Sequence, residues 1–289
     1  MKENLIESKV SKKMNLGILY TLPLTVWLGI FFIIPMGIVF IYSFLKSGVY
    51  GGVELEFSLE SLKILRDPSF FRIVLKTLYF STVITVITII ISIPTAYFIA
   101  RSKYKKELLF LIIIPFWTNF LVRIYAWIAI LGNNGFLNSL LSKFGFEPVQ
   151  FLYNDGAIII ISIYTSLPFA ILPLYAVIEK FDFSIIEAGR DLGATNRETF
   201  FKLFLPNIKT GIVTAFLFTF IPMLGSYAIP KLVGGNSSLM LGNVIAQHLT
   251  VTRNWPLASF ISSTLMLITG ILIWLFLRFY KSEKEVINE

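Results

Sequence analysis

The segment EAGRDLGATNRETFFKLFLP, residues 187–206, is charged and amphipathic, and it lies between two uncharged apolar runs at residues 156–178 and 210–230. Each run is long enough to cross about 30 Å of hydrocarbon as a helix. Because charged side chains are costly inside a bilayer, a segment between two such helices belongs in water at a membrane surface. The pattern therefore predicts a membrane protein that presents a short folded loop on one side.

The composition of the whole chain supports membrane insertion. Of the 289 residues, 56% are hydrophobic and 16% aromatic, and the mean hydropathy is +0.77, which is too apolar for a soluble domain of this size. Uncharged runs occupy residues 14–45, 77–100, 156–178, 210–230 and 254–277, and a sixth run at 108–131 is interrupted only by Arg123. We therefore expect an all-α integral membrane protein with six transmembrane helices in one domain, residues 17–280, between terminal segments at residues 1–16 and 281–289.

The distribution of positive charge predicts the orientation. The segments that share the side of the termini are residues 1–16, 101–107, 179–209 and 278–289. They carry about twice as many lysines and arginines as the longer segments on the other side. By the positive-inside rule, both termini and residues 187–206 face the cytoplasm. This topology explains the net charge of +8, which therefore does not indicate a nucleic-acid-binding face.

The chain lacks the motifs of nucleotide and metal chemistry. It contains no phosphate loop, no dinucleotide-binding glycine motif, no HExxH motif and no cysteine, and its one histidine is His248 on the predicted outer side. A membrane enzyme would need a nucleophile with a base or a set of metal ligands, and neither presents itself. We therefore expect no catalytic residues, no metal and no cofactor bound by this chain. If transport uses ATP, another chain binds it.

Polar features inside the predicted spans mark candidate pathway residues. Arg123 is the clear ionisable residue there, and it either positions neighbouring helices or contacts cargo. Aromatic residues near the prolines either offer faces to an organic cation or belong to the interfacial belt. The candidate pathway or gate residues are Trp117, Asn119, Arg123, Tyr125, Tyr164 and Tyr227. A secondary transporter or channel would need relay carboxylates or a repeated filter, and the spans contain neither.

The predicted outer segments are short. After the fifth run, a glycine-rich turn at residues 234–238 precedes an apolar stretch at residues 239–245, which predicts a short helix serving as an outer gate or docking ledge. Residues 47–76 and 132–155 are expected to be polar outer loops. Neither is long enough for a separate domain, so a high-affinity receptor would be another polypeptide.

Residues 184–206 mix apolar and charged side chains and predict two short helices bent around residues 193–196. Asn196 is the expected N-cap of the second helix, and Pro206 its expected end. A short helix with a compact apolar face is suited to docking onto a soluble partner. An ordinary interfacial loop would show the same pattern, so the residues alone leave both interpretations open.

The spacing within this loop resembles the EAA loop of bacterial ABC-importer permeases. Residues 187–189, then Gly193 after three residues, and residues 203–206 after nine more match the family pattern EAA, G and I-x-L-P. Gly189 replaces the second alanine and Leu203 the isoleucine. The resemblance implies that residues 184–206, called the coupling loop below, couple the protein to an ATPase. The residues implied in this contact are Glu187, Ala188, Gly189, Arg190, Asp191, Gly193, Ala194, Leu203, Leu205 and Pro206.

Further blocks at residues 114–127, 172–182, 234–245 and 253–256 resemble the permease subunits of spermidine/putrescine importers, above all the B-type subunit of the pair. The resemblance covers essentially the whole chain and implies the type I ABC importer permease (MetI-like) fold in the bacterial inner membrane. It implies polyamine as cargo. An oxyanion, ferric iron or another small organic solute is the alternative.

The resemblance also implies partners and a mechanism. Two such permeases would form a pore above a dimer of ATPases, and an external solute-binding protein would deliver cargo, docking near Gly234, Gly235, Asn236 and Asn243. Closure of the ATPase dimer on ATP would draw the coupling loops together and rock the helices between inward-open and outward-open states. Gly193 would let the loop turn tightly, and Glu187 would supply a polar contact.

Overall fold

The computed structural model describes residues 20–235 and 238–287, with side chains to residue 278, and is almost entirely helical. Within these residues, five stretches are long and apolar enough to cross a membrane, namely Tyr20–Tyr42, Pro68–Arg101, Phe120–Lys143, Asp155–Ile178 and Trp255–Arg278. A sixth span is present if Asn196–Asn207 and Lys209–Leu224, which meet at an angle of 67°, count as one. The predicted all-α membrane fold is confirmed.

The helices, in chain order, are α1 (Tyr20–Tyr42), α2 (Pro68–Arg101), α3 (Lys105–Ile113), α4 (Phe120–Leu131), α5 (Phe136–Lys143), α6 (Asp155–Ile178), α7 (Ser184–Asp191), α8 (Asn196–Asn207), α9 (Lys209–Leu224), α10 (Ala228–Val233), α11 (Leu241–Thr250) and α12 (Trp255–Ile287). Strands β1 (Leu45–Ser47) and β2 (Val53–Phe57) pair antiparallel. The chain divides into a smaller compact unit, residues 20–66 with 248–267, and a larger one, residues 67–247 with 268–287. The prediction of a single domain over residues 17–280 stays a prediction.

The smaller unit holds α1 and the β-hairpin. None of the residues in the most apolar part of α1 is buried. Residues 47–76, expected to be a polar loop, instead contain β2, a 3-10 helix at Glu60–Arg66 and the first turns of α2. On the hairpin, Lys46 Nζ lies 2.9 Å from Glu56 and 3.4 Å from Glu54. These carboxylates, Glu56 foremost, raise the pKa of Lys46 above its usual value.

The larger unit is built around α6, which packs against α2 and α9. One apolar cluster surrounds Ile158, near the start of α6, and the other surrounds Ile178 at its end. Ile158 and Ile178 are about 30 Å apart along the axis of α6, so the two clusters occupy opposite halves of this helix. The end of α6 at Ile178 is called the coupling end below, because the coupling loop follows it, and the end at Asp155 is called the far end.

Small hydroxyl residues alternate with members of the two clusters along the buried face of α2. They recur at helical spacing and are Thr77, Ser81, Thr85, Thr88 and Ser92. The corresponding buried hydroxyls of α6 are Ser162, Thr165 and Ser166. Without large side chains between them, membrane helices approach closely and gain van der Waals contact.

The third apolar run does not form one helix, contrary to the prediction for residues 108–131. After α3 the chain makes a 3-10 helix at Ile114–Trp117 and then begins α4. Pro115 has no N–H to donate, and its ring crowds the preceding turn of helix. The side chain of Asn119 then accepts a hydrogen bond from the Leu121 N–H at 2.8 Å and starts α4.

The helix formed by the fifth apolar run is shorter than predicted. α9 ends at Leu224, and Pro230, the last residue of the predicted run, lies in the separate short helix α10. In the predicted outer loop at residues 132–155, α5 forms after a tight turn at residues 132–135. Its Asn138 side chain is buried and bonds to both the N–H and the carbonyl of Val149, which holds the rest of this loop.

Candidate functional site

The coupling loop folds as a helix, a turn and a second helix. The Asp182 carboxylate accepts a hydrogen bond from the Ser184 N–H at 3.0 Å, and its hydrogen bonds with Ser184 lower the pKa of Asp182. α7 ends where the Gly193 N–H donates to the Arg190 carbonyl at 2.8 Å. Gly193 has φ +87°, a left-handed conformation that other residues adopt at a cost.

The second helix of the loop begins one residue earlier than expected. Thr195, not Asn196, is its N-cap: the Thr195 hydroxyl accepts from the Glu198 N–H at 3.3 Å, and the Glu198 carboxylate accepts from the Thr195 N–H at 3.0 Å. This reciprocal capping box outcompetes a single cap at Asn196. The helix also continues past Pro206 to Asn207, because proline is tolerated in the first turn of its last segment.

The tip of the loop presents an apolar residue to water. The Leu192 side chain is 89% exposed, next to the turn at Gly193. Beside it, Glu198 and Lys202 form an ion pair at 3.1 Å. A shallow cavity of about 380 Å³ opens at this tip, lined by Gly189, Leu192, Gly193, Ala194, Glu198, Lys202 and Leu203. The exposed residues of α7 include Glu187, Ala188, Arg190 and Asp191. The loop therefore presents one protruding apolar side chain, Leu192, with charged side chains around it.

The two substitutions relative to the family pattern meet in space. A methyl group on Gly189 would lie 2.6 Å from Leu203 Cδ1, which is closer than two carbon atoms pack. Leu203 therefore occupies the space left by the missing methyl of residue 189, and the two helices of the loop pack directly on each other.

The end of the coupling loop that joins α9 is called the foot below. It contains buried residues that the sequence did not single out. Phe204 and Ile208 are 2% and 0% exposed, whereas Pro206 is exposed and Leu203 and Leu205 are half-buried. The Phe204 ring lies 5.4 Å from that of Tyr97 and 5.5 Å from that of Phe181, both edge-on. The apolar pattern of residues 200–208 could have identified Phe204, but only the fold shows which residue of the pattern points inward.

Among the candidate pathway residues, the structure brings Arg123 and Tyr164 together. They line a cavity of about 140 Å³ beside Phe116 and Pro168. The Arg123 guanidinium lies over the rings of Phe116, at 4.7 Å, and Phe120, at 5.7 Å. Among the described residues, its buried Nε has no hydrogen-bond partner and no carboxylate forms an ion pair with it.

The other candidates lie elsewhere. Trp117 and Tyr125 are mostly exposed on the helix surface, and Asn119 serves as the N-cap of α4. The Tyr227 hydroxyl accepts a hydrogen bond from Lys231 Nζ at 2.7 Å at the far end. These four residues do not line the cavity of Arg123. Phe116 is the contact that the sequence did not predict.

The predicted docking residues belong to the segment from the end of α10 to the start of α11, at the far end, and those described are packed against their neighbours. Gly234 is buried, and a methyl group there would lie 2.5 Å from the Pro230 carbonyl oxygen. The Asn243 amide donates to the Tyr227 carbonyl at 2.9 Å, and Asn243 is also buried. Gly235 approaches the backbone of Tyr153, and Asn236 lies outside the described residues. Gly234 and Asn243 thus hold this segment together and present no surface in this conformation.

Within the part of the chain that the structure describes, no group of three or more His, Cys, Asp or Glu residues is placed to hold a metal ion.

Comparison with known proteins gives consistent matches. Residues 80–282 match the family described as binding-protein-dependent transport system inner membrane component. The chain is 37% identical over 256 residues to the spermidine/putrescine transport system permease protein PotB of Haemophilus influenzae, covering 87% of this chain and 90% of that protein. It is 34% identical to PotB of Escherichia coli, covering 87% and 93%, and 31% identical to the inner membrane ABC transporter permease protein YdcU of Escherichia coli, covering 79% and 77%.

Solved structures match the fold. A bacterial ABC transporter involved in the import of the acidic polysaccharide alginate superimposes with a TM-score of 0.74, 17% identity, and coverage of 95% of this chain and 98% of that chain. The same kind of transporter in complex with an alginate pentasaccharide-bound periplasmic protein gives a TM-score of 0.71, also at 17% identity. At this identity the match concerns the fold alone.

Proposed function

The chain belongs to the family of binding-protein-dependent transport system inner membrane components, and from this we propose that it forms half of the translocation pathway for polyamines. It is a transport subunit and not an enzyme by itself. The observation that carries the proposal is the similarity to PotB at 34–37% identity over 87% of the chain. Both relatives are named for spermidine and putrescine transport, and the match extends far beyond the coupling loop.

We propose that the coupling loop docks onto a separate ATPase, which binds the ATP. Three features support this role. The tip exposes Leu192, an apolar side chain that would gain free energy from burial in a partner. Gly193 allows the sharp turn, and the buried foot at Phe204 and Ile208 connects the loop to α6 and α9. A pull on the tip is therefore passed to the helices of the pathway.

The proposed assembly contains a second permease, two ATPases and an external solute-binding protein. Several basic residues, among them Arg101, Lys105 and Lys180, lie at the coupling end of the larger unit, which supports a cytoplasmic position for that end and for both termini. The far end then faces the binding protein. Membrane lipid surrounds the exposed apolar helix faces.

The chemistry of the described spans suits a low-affinity pathway. Polyamines carry several ammonium groups, which bind most strongly to carboxylates and to aromatic faces. Arg123, the cation that interrupts the third apolar run, rests on aromatic rings and would not attract a second cation. Selection of the cargo would therefore rest chiefly on the binding protein.

The deciding experiment is ATP-dependent uptake of labelled spermidine into vesicles that carry this chain with its co-encoded permease, ATPase and binding protein. Putrescine should compete, whereas amino acids, sugars and oxyanions should not. Omitting ATP or the binding protein should each abolish uptake. ATP hydrolysis stimulated by a different solute, without uptake of spermidine, would keep the permease role and contradict the polyamine cargo.

A further inference from the structure

At the far end of the larger unit, a lysine and an aspartate from two helices meet at one point. Lys76 Nζ, on α2, lies 3.2 Å from Asp155 Oδ1, at the first residue of α6. The Ser238 hydroxyl donates a hydrogen bond to the same oxygen. Lys76 Nζ also lies 5.4 Å from the centre of the Phe80 ring. A carboxylate and an aromatic face thus contact one primary ammonium group, and the hydroxyl holds the carboxylate.

This set of groups is the one that recognises an alkylammonium ligand. The carboxylate supplies a charge-assisted hydrogen bond, and the ring supplies a cation–π contact. The lysine side chain is itself a primary ammonium on a four-carbon chain, so it has the chemistry of one end of a polyamine. The structure therefore shows the site with an ammonium ion of the protein in place.

The site is open to a ligand from outside the larger unit. The Asp155 side chain is 49% exposed and that of Lys76 25%, so a second ammonium can reach the carboxylate while Lys76 is still paired. Exchange of one ammonium for another keeps the Asp155 carboxylate paired, but the displaced Lys76 ammonium loses this carboxylate, and that cost weakens binding of the ligand. A site of this kind binds weakly and releases readily, which suits a point of entry.

The position of the site fits entry of cargo. Asp155 lies at the end of the 24-residue helix α6, about 36 Å from the coupling end. The neighbouring Thr77 hydroxyl accepts a hydrogen bond from the Leu241 N–H at 2.9 Å, and Ser238 belongs to the same segment. Asp155 and Thr77 therefore attach the segment between α10 and α11 to α2 and α6, and displacement of Lys76 would act directly on that attachment.

We propose that Asp155 is the first binding site for cargo on this permease, where an ammonium group of the incoming polyamine replaces that of Lys76. The inference rests on the proposed polyamine cargo. It assigns Asp155 as the residue that contacts cargo, Ser238 as the residue that holds the Asp155 carboxylate, and Phe80 as the buried ring beside the bound ammonium. Lys76 is the competitor that displaces cargo from the site so that cargo can move on.

The test measures equilibrium binding of spermidine to the assembled transporter in lipid nanodiscs, without binding protein or ATP. Saturation-transfer NMR is the readout of binding. The wild-type protein should bind in the millimolar range. Asp155→Asn should raise the dissociation constant by up to about fivefold, the scale of a partly exposed ion pair. Lys76→Met and Lys76→Gln should lower it at least about threefold, because each removes the competitor. Two neutral replacements guard against misfolding of one.

The opposite signs distinguish this site from an ordinary structural ion pair. If the pair only holds the helices together, the Lys76 and Asp155 variants will change binding in the same direction. Glu56→Gln, which breaks the comparable Lys46–Glu56 pair at 2.9 Å on the hairpin, is the matched control and should leave binding unchanged.

Two results would overturn the inference. The first is a dissociation constant of Lys76→Met or Lys76→Gln at or above the wild-type value. The second is a dissociation constant of Asp155→Asn equal to that of the wild type. If the wild type imports spermidine with ATP and the variants still behave alike, the site is wrong and the cargo stands. If the wild type neither imports nor binds spermidine, both proposals fail.

Discussion

Replacement of Leu192 by alanine tests how the coupling loop holds its ATPase. The leucine is 89% exposed in this chain, so its truncation costs the isolated permease almost no stability. In the docked complex the side chain would be buried. The substitution removes three carbon atoms, and at about 0.8 kcal/mol for each buried methylene the expected loss of binding free energy is about 2.4 kcal/mol. This corresponds to an affinity about 50-fold weaker.

The assay is a titration of purified ATPase onto nanodiscs that contain the two permeases, with the dissociation constant read by biolayer interferometry. Leu192→Ala should raise this constant about 50-fold and reduce ATP-dependent uptake at limiting ATPase. The temperature of thermal unfolding of the permease should stay at the wild-type value. Leu192→Met keeps the apolar volume and should retain most of the affinity.

Leu55 provides the matched control, since it is 92% exposed on the hairpin and its replacement by alanine should not alter ATPase binding. An ATPase affinity for Leu192→Ala within about twofold of wild type would refute the assignment of Leu192 as the docking residue, because the burial of a leucine cannot be worth so little.

Three further predictions concern the same end of the molecule. Gly193→Asp should leave the protein in the membrane, measured by its abundance there, but abolish ATP-dependent uptake, because φ +87° costs other residues about 1–2 kcal/mol and the new side chain would obstruct docking. Gly189→Ala alone should lower the unfolding temperature, and Leu203→Ile should partly restore it, since the added methyl would lie 2.6 Å from Leu203 Cδ1. The hydrogen bond from Tyr175 lowers the pKa of Glu179 below its usual 4.5. The ionised Glu179 carboxylate therefore stabilises the folded protein above pH 4.5, and this stabilisation is lost as the pH falls. The unfolding temperature of Glu179→Gln should therefore depend less on pH below 4.5 than that of wild type.

Each of these has a contrary result. Normal uptake by Gly193→Asp would mean that the turn is not part of the coupling contact. Strictly additive effects of the Gly189 and Leu203 changes would mean that the two side chains do not share space. An identical acid dependence of Glu179→Gln and wild type would mean that this carboxylate contributes nothing to the folded state.

The apolar runs predicted most of the spans because the cost of charge in a bilayer restricts the sequence strongly, as the uncharged residues 156–178 and helix α6 illustrate. The break around Pro115 could not be placed in the same way. Proline occurs inside α2 and α6 without ending either helix, so its effect depends on what surrounds the freed carbonyl groups. Local sequence does not contain that information.

The site was predictable in part for a similar reason. The spacing of the coupling loop is a local property, and the structure places its turn at Gly193. Three other features could not be predicted, because each depends on residues that are distant along the chain or lie on different faces of a helix. They are the burial of Phe204 against Tyr97, the contact of Arg123 with Phe116, and the ion pair of Lys76 with Asp155. The resemblance implied that a binding protein docks near Asn243, yet the Asn243 amide is buried, where it is stable because its hydrogen bonds are made.

The 67° bend between α8 and α9 makes the coupling loop the short arm of a lever. Its fulcrum is the buried pair Phe204 and Ile208, and its long arm is α9, whose 16 residues span about 24 Å. With this geometry, each tilt of α9 by about 2° about that pair moves the opposite end of the helix by about 1 Å. A few ångströms of movement at the membrane surface are then enough to swing the opposite end of the helix, and no turn of it needs to unwind.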